Sequence, residues 1–118
     1  MDINKVAVIG GGTMGNGIAH VFALKGIDVF LTEMNEDSYN RALKTISGNL
    51  DRQVKKQIIS DDEKNNILTK IHKVIGIEKI PFDVQLVIEA IYENKDAKLS
   101  IFKHLEKQLN TECIFASN

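Results

Sequence analysis

The sequence holds one cysteine and one proline, carries no excess of either charge, and has no long apolar run. Each shortage excludes a class of protein. A lone Cys113 cannot form an intramolecular disulfide, and no cysteine–histidine spacing suits zinc. Pro81 stands alone, and no repeat or Gly-, Ser- or Pro-rich tract marks a linker, so the chain reads as one unit. Fifteen Lys and Arg against sixteen Asp and Glu leave a net charge of −1, which argues against nucleic acid or an anionic membrane as partner. No apolar stretch approaches the roughly 18 residues of a spanning helix. The opening MDINK is too polar for a signal peptide, so a soluble, cytoplasmic domain is expected. What is present is ordinary for a folded domain: 118 residues, 43% hydrophobic and 26% charged.

Strand and helix signals alternate along the chain. Val6-Ala7-Val8-Ile9 is short, continuous and β-branched, as a strand covered on both faces should be. Glycine-rich sequence follows from Gly10 to Gly15. From Asn16, Ile18, Ala19, Val21, Phe22 and Ala23 recur at helical spacing until Gly26 supplies a stop. Val29-Phe30-Leu31 predicts a second strand, ending at Thr32-Glu33. A long polar helix is expected over 37–56, with Ala42, Leu43, Ile46, Leu50 and Val54 inward.

Ser60-Asp61-Asp62-Glu63 has the capping-box pattern, predicting a third helix with Ile67, Leu68 and Ile71 as its apolar positions. Val74-Ile75 is a short, weakly marked strand, and Val84 to Ala90 a stronger one. Asn94 can cap a helix over 95–109, with Ala97, Ile101, Phe102, Leu105 and Leu109 inward. Cys113 to Ala116 reads as a last strand. Such alternation implies parallel pairing through right-handed crossovers, hence an open α/β sheet with helices on both faces.

The first strand and first helix bracket Gly10-Gly11-Gly12-Thr13-Met14-Gly15, which fits GxGxxG. Gly10 serves the tight turn, Gly12 the approach of a pyrophosphate, and Gly15 the close packing of helix on strand. The helix N-terminus then offers amides and a positive dipole end to phosphates. Alone the pattern is weak, but it has its required context and its required acid. Glu33 ends the second strand eighteen residues after Gly15, where a carboxylate accepts from ribose hydroxyls and repels a 2′-phosphate. Met34 offers such a phosphate no charge. NAD is therefore favoured over NADP, and the fold is expected to be a doubly wound, Rossmann-type sheet. A structural glycine turn with a merely solvated Glu33 is the bland alternative.

The segment from Gly10 to Glu33, GGGTMGNGIAHVFALKGIDVFLTE, resembles the nucleotide loop of the L-3-hydroxyacyl-CoA dehydrogenases, including the bacterial 3-hydroxybutyryl-CoA enzymes. LVIEAIYEN (Leu86 to Asn94) and IFASN (Ile114 to Asn118) agree in the same order. The 6-phosphogluconate and 3-hydroxyisobutyrate dehydrogenases share the GxGxMG loop but lack EAIxEN in this form. The resemblance implies NAD-linked interconversion of 3-hydroxyacyl-CoA and 3-ketoacyl-CoA. It implies that Gly10, Gly11, Gly12, Thr13, Met14 and Gly15 hold the pyrophosphate and Glu33 the adenine ribose. It puts Glu93 and Lys98 on the nicotinamide side, Asn118 beside the nicotinamide ribose, and Lys56 on CoA. Asn49 falls where some members have a CoA-contacting serine, and an amide can still hydrogen-bond.

Members of that family continue beyond ASN to a catalytic His–Glu pair and a helical domain that completes the substrate cleft and a dimer. The expectation is therefore an NAD-binding domain of 118 residues, cut after about the fifth strand and inactive by itself. A stand-alone dinucleotide sensor and another β-hydroxyacid dehydrogenase are the rival readings. His20, His72 and His104 lack an orienting acid in sequence, and His72 and His104 are expected on polar-faced helices. Cys113 reads as a small apolar filler, and Glu89 with Glu93 is not expected to form an acid–base pair. Arg41, Lys44, Arg52, Lys55 and Lys56 make the second helix basic, either as a solvated face or as an attractor of CoA phosphates.

Overall fold

The computed structural model describes residues 2–10, 12–91 and 95–117. Its elements are β1 (Lys5–Ile9), α1 (Thr13–Leu24), β2 (Asp28–Glu33), α2 (Glu36–Lys55), α3 (Asp61–Thr69), β3 (Ile71–Ile75), a 3₁₀ turn (Ile77–Lys79), β4 (Leu86–Glu89), α4 (Lys95–Gln108) and β5 (Ile114–Ser117). The five strands form one sheet in the order β3-β2-β1-β4-β5, parallel at every pairing. Among the described residues no helix is long and apolar enough to cross a membrane.

Period-two alternation divides the central strands between two cores. Val6, Val8, Val29 and Leu31 pack against Ala19 and Ala23 of α1, Ala42, Ile46 and Leu50 of α2, and Ile67 of α3. Ala7, Ile9 and Val87 face the opposite way, onto Leu105 of α4, Leu109 and Cys113. This is why β1 is apolar without interruption: both its faces are covered. The Cys113 thiol, buried here, has its pKa raised by desolvation, which fits a filler rather than a nucleophile.

The helix ends follow local chemistry. Asn35 caps α2 by accepting from the Ser38 amide at 2.8 Å. Ser60 and Glu63 close the expected reciprocal capping box at the start of α3. The Asn94 cap lies outside the described residues. Boundaries elsewhere move by one to three residues. Thus α1 begins at Thr13 rather than Asn16, and β4 is shorter than Val84 to Ala90. Of the apolar residues of α1, Ala19 and Ala23 are buried and Val21 is half exposed.

Ile71 is the main correction. It opens β3 instead of closing α3, because Lys70 caps that helix and its carbonyl accepts from the Val29 amide at 2.8 Å, joining the chain to β2. His72 consequently lies on a strand, not a helix. It pairs across from Phe30, stacks on that ring at 4.9 Å, and bonds Asp28 at 2.9 Å. Being the sheet edge, β3 tolerates His72 and Lys73, and this blurred its apolar pattern in sequence.

Candidate functional site

The chain reverses direction across the sheet between β1, which leads outward to β2 and β3, and β4, which leads to β5. In an open parallel sheet, the crevice beyond the carboxyl ends of the strands at such a switch point is where ligands settle. Here the glycine turn after β1 and the segment after β4 meet. Gly10 has φ +94°, and a Cβ added to it would lie 3.1 Å from the Ile91 side chain and 3.3 Å from the Ala90 carbonyl. Its amide donates to the Thr32 carbonyl at 2.9 Å, fastening the turn to the end of β2.

Gly15 shows why the helix must start with so small a residue. A Cβ there would fall 1.7 Å from the Gly10 carbonyl oxygen, so the first turn of α1 packs directly on the strand-end backbone. Gly12 is the opposite case. Nothing lies within 4 Å of its added Cβ, so its backbone faces open space. As N-cap of α1 it supplies no side-chain acceptor to the amides of the first turn. In the same turn Asn16 is buried, and its Oδ1 has no hydrogen-bond partner among the described residues. Thr13 and Met14 lie in this first turn of α1. Gly11, Glu93 and Asn118 lie outside the described residues.

Gly10, Thr32, Glu33 and Met34 line a cleft of about 450 Å³ together with Ile91 and Ala97. The cleft is mostly apolar and includes a carboxylate, a combination suited to a flat ring with a hydroxylated sugar. Gly76 and Glu78 also line it, and sequence reading did not mark them. The Gly76 amide donates to the Glu33 carbonyl at 2.8 Å, holding the turn after β3 beside the acid. Gly76 directly follows the Val74-Ile75 strand signal, but its closeness to Glu33 depends on the pairing of β3 with β2.

Lys98 sits on α4, and its Nζ is 3.2 Å from Oε1 of Glu89, a wholly buried carboxylate at the end of β4. The other carboxylate oxygen of Glu89 accepts from the Ile91 amide at 2.7 Å. Glu89 thus ties α4 and the cleft-lining Ile91 to the sheet. None of the three histidines lines this cleft, and each has another partner: Gln53 for His20, Asp28 for His72 and Gln108 for His104.

A second cleft of about 450 Å³ lies between α1 and α2, lined by Gly17, His20, Asn49, Arg52, Gln53, Lys56 and Ile58. Asn49, Arg52, Gln53 and Lys56 follow the i, i+3, i+4, i+7 spacing of one helix face, so their convergence was readable from sequence. Arg52 donates to the side-chain carbonyl of Asn49. His20 was not expected there.

The sequence model described as "3-hydroxyacyl-CoA dehydrogenase, NAD binding domain" matches residues 5–118. The chain belongs to this family. It is 43% identical over 118 residues to a 3-hydroxybutyryl-CoA dehydrogenase of Bradyrhizobium diazoefficiens, covering 98% of this chain but 39% of that protein. A peroxisomal fatty acid β-oxidation multifunctional protein of Arabidopsis thaliana is 39% identical over 116 residues, which span 98% of this chain and 16% of the relative. Among solved structures, (S)-3-hydroxybutyryl-CoA dehydrogenase from Ralstonia eutropha superposes with a TM-score of 0.93 at 32% identity, over 99% of this chain and 41% of that one. This NAD-binding domain therefore spans about two-fifths of the length of the dehydrogenases it matches.

Proposed function

We propose that this domain holds the cofactor for an enzyme that interconverts L-3-hydroxyacyl-CoA and 3-ketoacyl-CoA. The observation that carries this reading is that the glycine turn and Glu33 open onto one cleft at the switch point of the sheet, in a chain of this family. The open backbone at Gly12 and the uncapped first turn of α1 fit an anionic pyrophosphate, so NAD suits the residues present. In this reading Gly10 to Gly15 hold the pyrophosphate and Glu33 accepts from the adenine ribose. Met34, 79% exposed, brings no cation for a 2′-phosphate. Lys98, with Glu93 and Asn118, serves the nicotinamide half. NAD supplies the hydride-accepting ring when bound.

The second cleft takes the phosphates of CoA, with Lys56 and Arg52 as cations and Asn49 as a hydrogen-bonding neighbour. The proton-transferring His–Glu pair, the acyl pocket and the dimer contacts belong to a further part of the enzyme. These 118 residues alone then bind without turnover. The relatives from Bradyrhizobium and Ralstonia are named for 3-hydroxybutyryl-CoA, which favours a short-chain substrate for the whole protein.

Parallel calorimetric titrations with NADH and NADPH test this reading. Saturable NADH binding, with NADPH clearly weaker, is the expected result. Glu33→Ala should weaken NADH about tenfold or more, the worth of a hydrogen bond to a charged group, and should shrink the preference over NADPH. Equal affinity for both cofactors in the unsubstituted domain would remove Glu33 as the selector.

A further inference from the structure

The second cleft contains a titratable group to which the reading above gives no task. His20 lines the cleft from α1 with Gly17, facing residues of α2, and it is buried, unlike Arg52 and Lys56, which are exposed. Its Nε2 lies 3.4 Å from Nε2 of Gln53, a contact that a neutral ring accepts and an imidazolium cannot. The charged groups lining the cleft are Arg52 and Lys56 from α2, and no carboxylate lines it among the described residues. The acids of the first turn of α3, Asp61, Asp62 and Glu63, are exposed and are not among its lining residues. A phosphate entering here meets two fixed cations and one buried ring that can become a third.

We propose that His20 is a specificity-determining residue of this cleft, taking up a proton as a phosphate-bearing ligand enters and then donating to it, so that affinity rises as pH falls. The inference rests on the reading that CoA phosphates occupy the cleft. Its physical basis is a balance of two effects. Burial lowers the pKa of His20, so the empty cleft holds a neutral ring near neutral pH. An anion at hydrogen-bond distance of this buried ring reverses that preference, because Coulomb attraction favours the charged form. The proton comes from solvent and adds to Nε2, and the Gln53 amide swings aside so that this new N–H donates to the phosphate. Arg52 and Lys56 line the same cleft and add their own attraction to the phosphate.

The test is calorimetric titration of this domain with CoA from pH 8.5 to 5.5, comparing the unsubstituted chain with His20→Gln and Lys56→Ala. The phosphate monoester of CoA itself titrates at about pH 6, so the reading is the affinity ratio between the unsubstituted chain and His20→Gln. That ratio should grow about tenfold towards low pH, the scale of one charge-assisted hydrogen bond. Lys56→Ala should weaken CoA at every pH and keep the pH dependence.

A constant ratio would overturn the role of His20 while leaving the cleft as a CoA site. An absence of saturable CoA binding in the unsubstituted chain would remove the cleft reading and this inference with it. A second measurement needs no variant. The His20 ring protons, followed by NMR, should titrate at higher pH with CoA present than without, and an unmoved midpoint would refute the proposal.

Discussion

Gly15→Ala is expected to destabilise the domain by about 3 kcal/mol or more and to abolish NADH binding. The added methyl would fall 1.7 Å from the Gly10 carbonyl oxygen, which is backbone and cannot rotate away. Relief requires α1 to withdraw from the end of β1, and the same movement carries the first-turn amides out of line with the cleft. Gly17→Ala is the matched control. It lies in the same helix, two residues on, and its added Cβ has nothing within 4 Å. An alanine there should stabilise the helix by up to about 1 kcal/mol. Urea unfolding of the two variants separates close packing from helix propensity. Equal effects would show that the contact between Gly15 and Gly10 is not what demands glycine.

Glu89→Ala should cost about 3–5 kcal/mol, the range for removing one partner of a buried ion pair. The carboxylate is 0% exposed, and the Lys98 side chain beside it is 15% exposed, so water compensates poorly for its loss. The Ile91 amide also loses its acceptor at 2.7 Å. Replacing both charges, as in Glu89→Gln with Lys98→Met, should cost less than the sum of the single changes, because no charge is then left buried against a neutral neighbour. Denaturant midpoints of Glu89→Gln, Lys98→Met and their combination measure the coupling. Additive losses would mean that the pair contributes no mutual stabilisation. NADH affinity should fall in Glu89→Ala, since Ile91 packs on Gly10 and walls the cleft.

Glu89 also illustrates how sequence and structure divide the information. In sequence it ended a strand, and its spacing to Glu93 gave it no task. Its partner lies nine residues on, in a helix whose placement depends on how α4 crosses back over the sheet. The capping box at Ser60 needed no such knowledge, because donor and acceptor are three residues apart. The same holds for the glycine turn between β1 and α1, and for Glu33 at the end of β2.

Other features depend on environment. β3 was hard to see because an edge strand need not be apolar on both faces, and its polar His72 and Lys73 broke the pattern. Gly76 and Glu78 follow the end of β3 and come beside Glu33 only through the pairing of β3 with β2, which no local spacing records. The meeting of His20 with Gln53, thirty-three residues away, depends on how α1 packs on α2.

The amino-acid sequence by itself thus determined the order of elements, the parallel α/β class, the glycine turn with its acid, and the family. Those are encoded in hydrophobic period, in turn and cap residues, and in spacings within one strand–helix unit. Only the tertiary structure decided which distant residues share a wall. It brought Ile91 and Ala97 into one cleft with Glu33, Lys98 onto Glu89, and His20 to the cations of α2. The physical reason is that strand order and helix packing are settled by burial summed over the whole sheet, which no local spacing records.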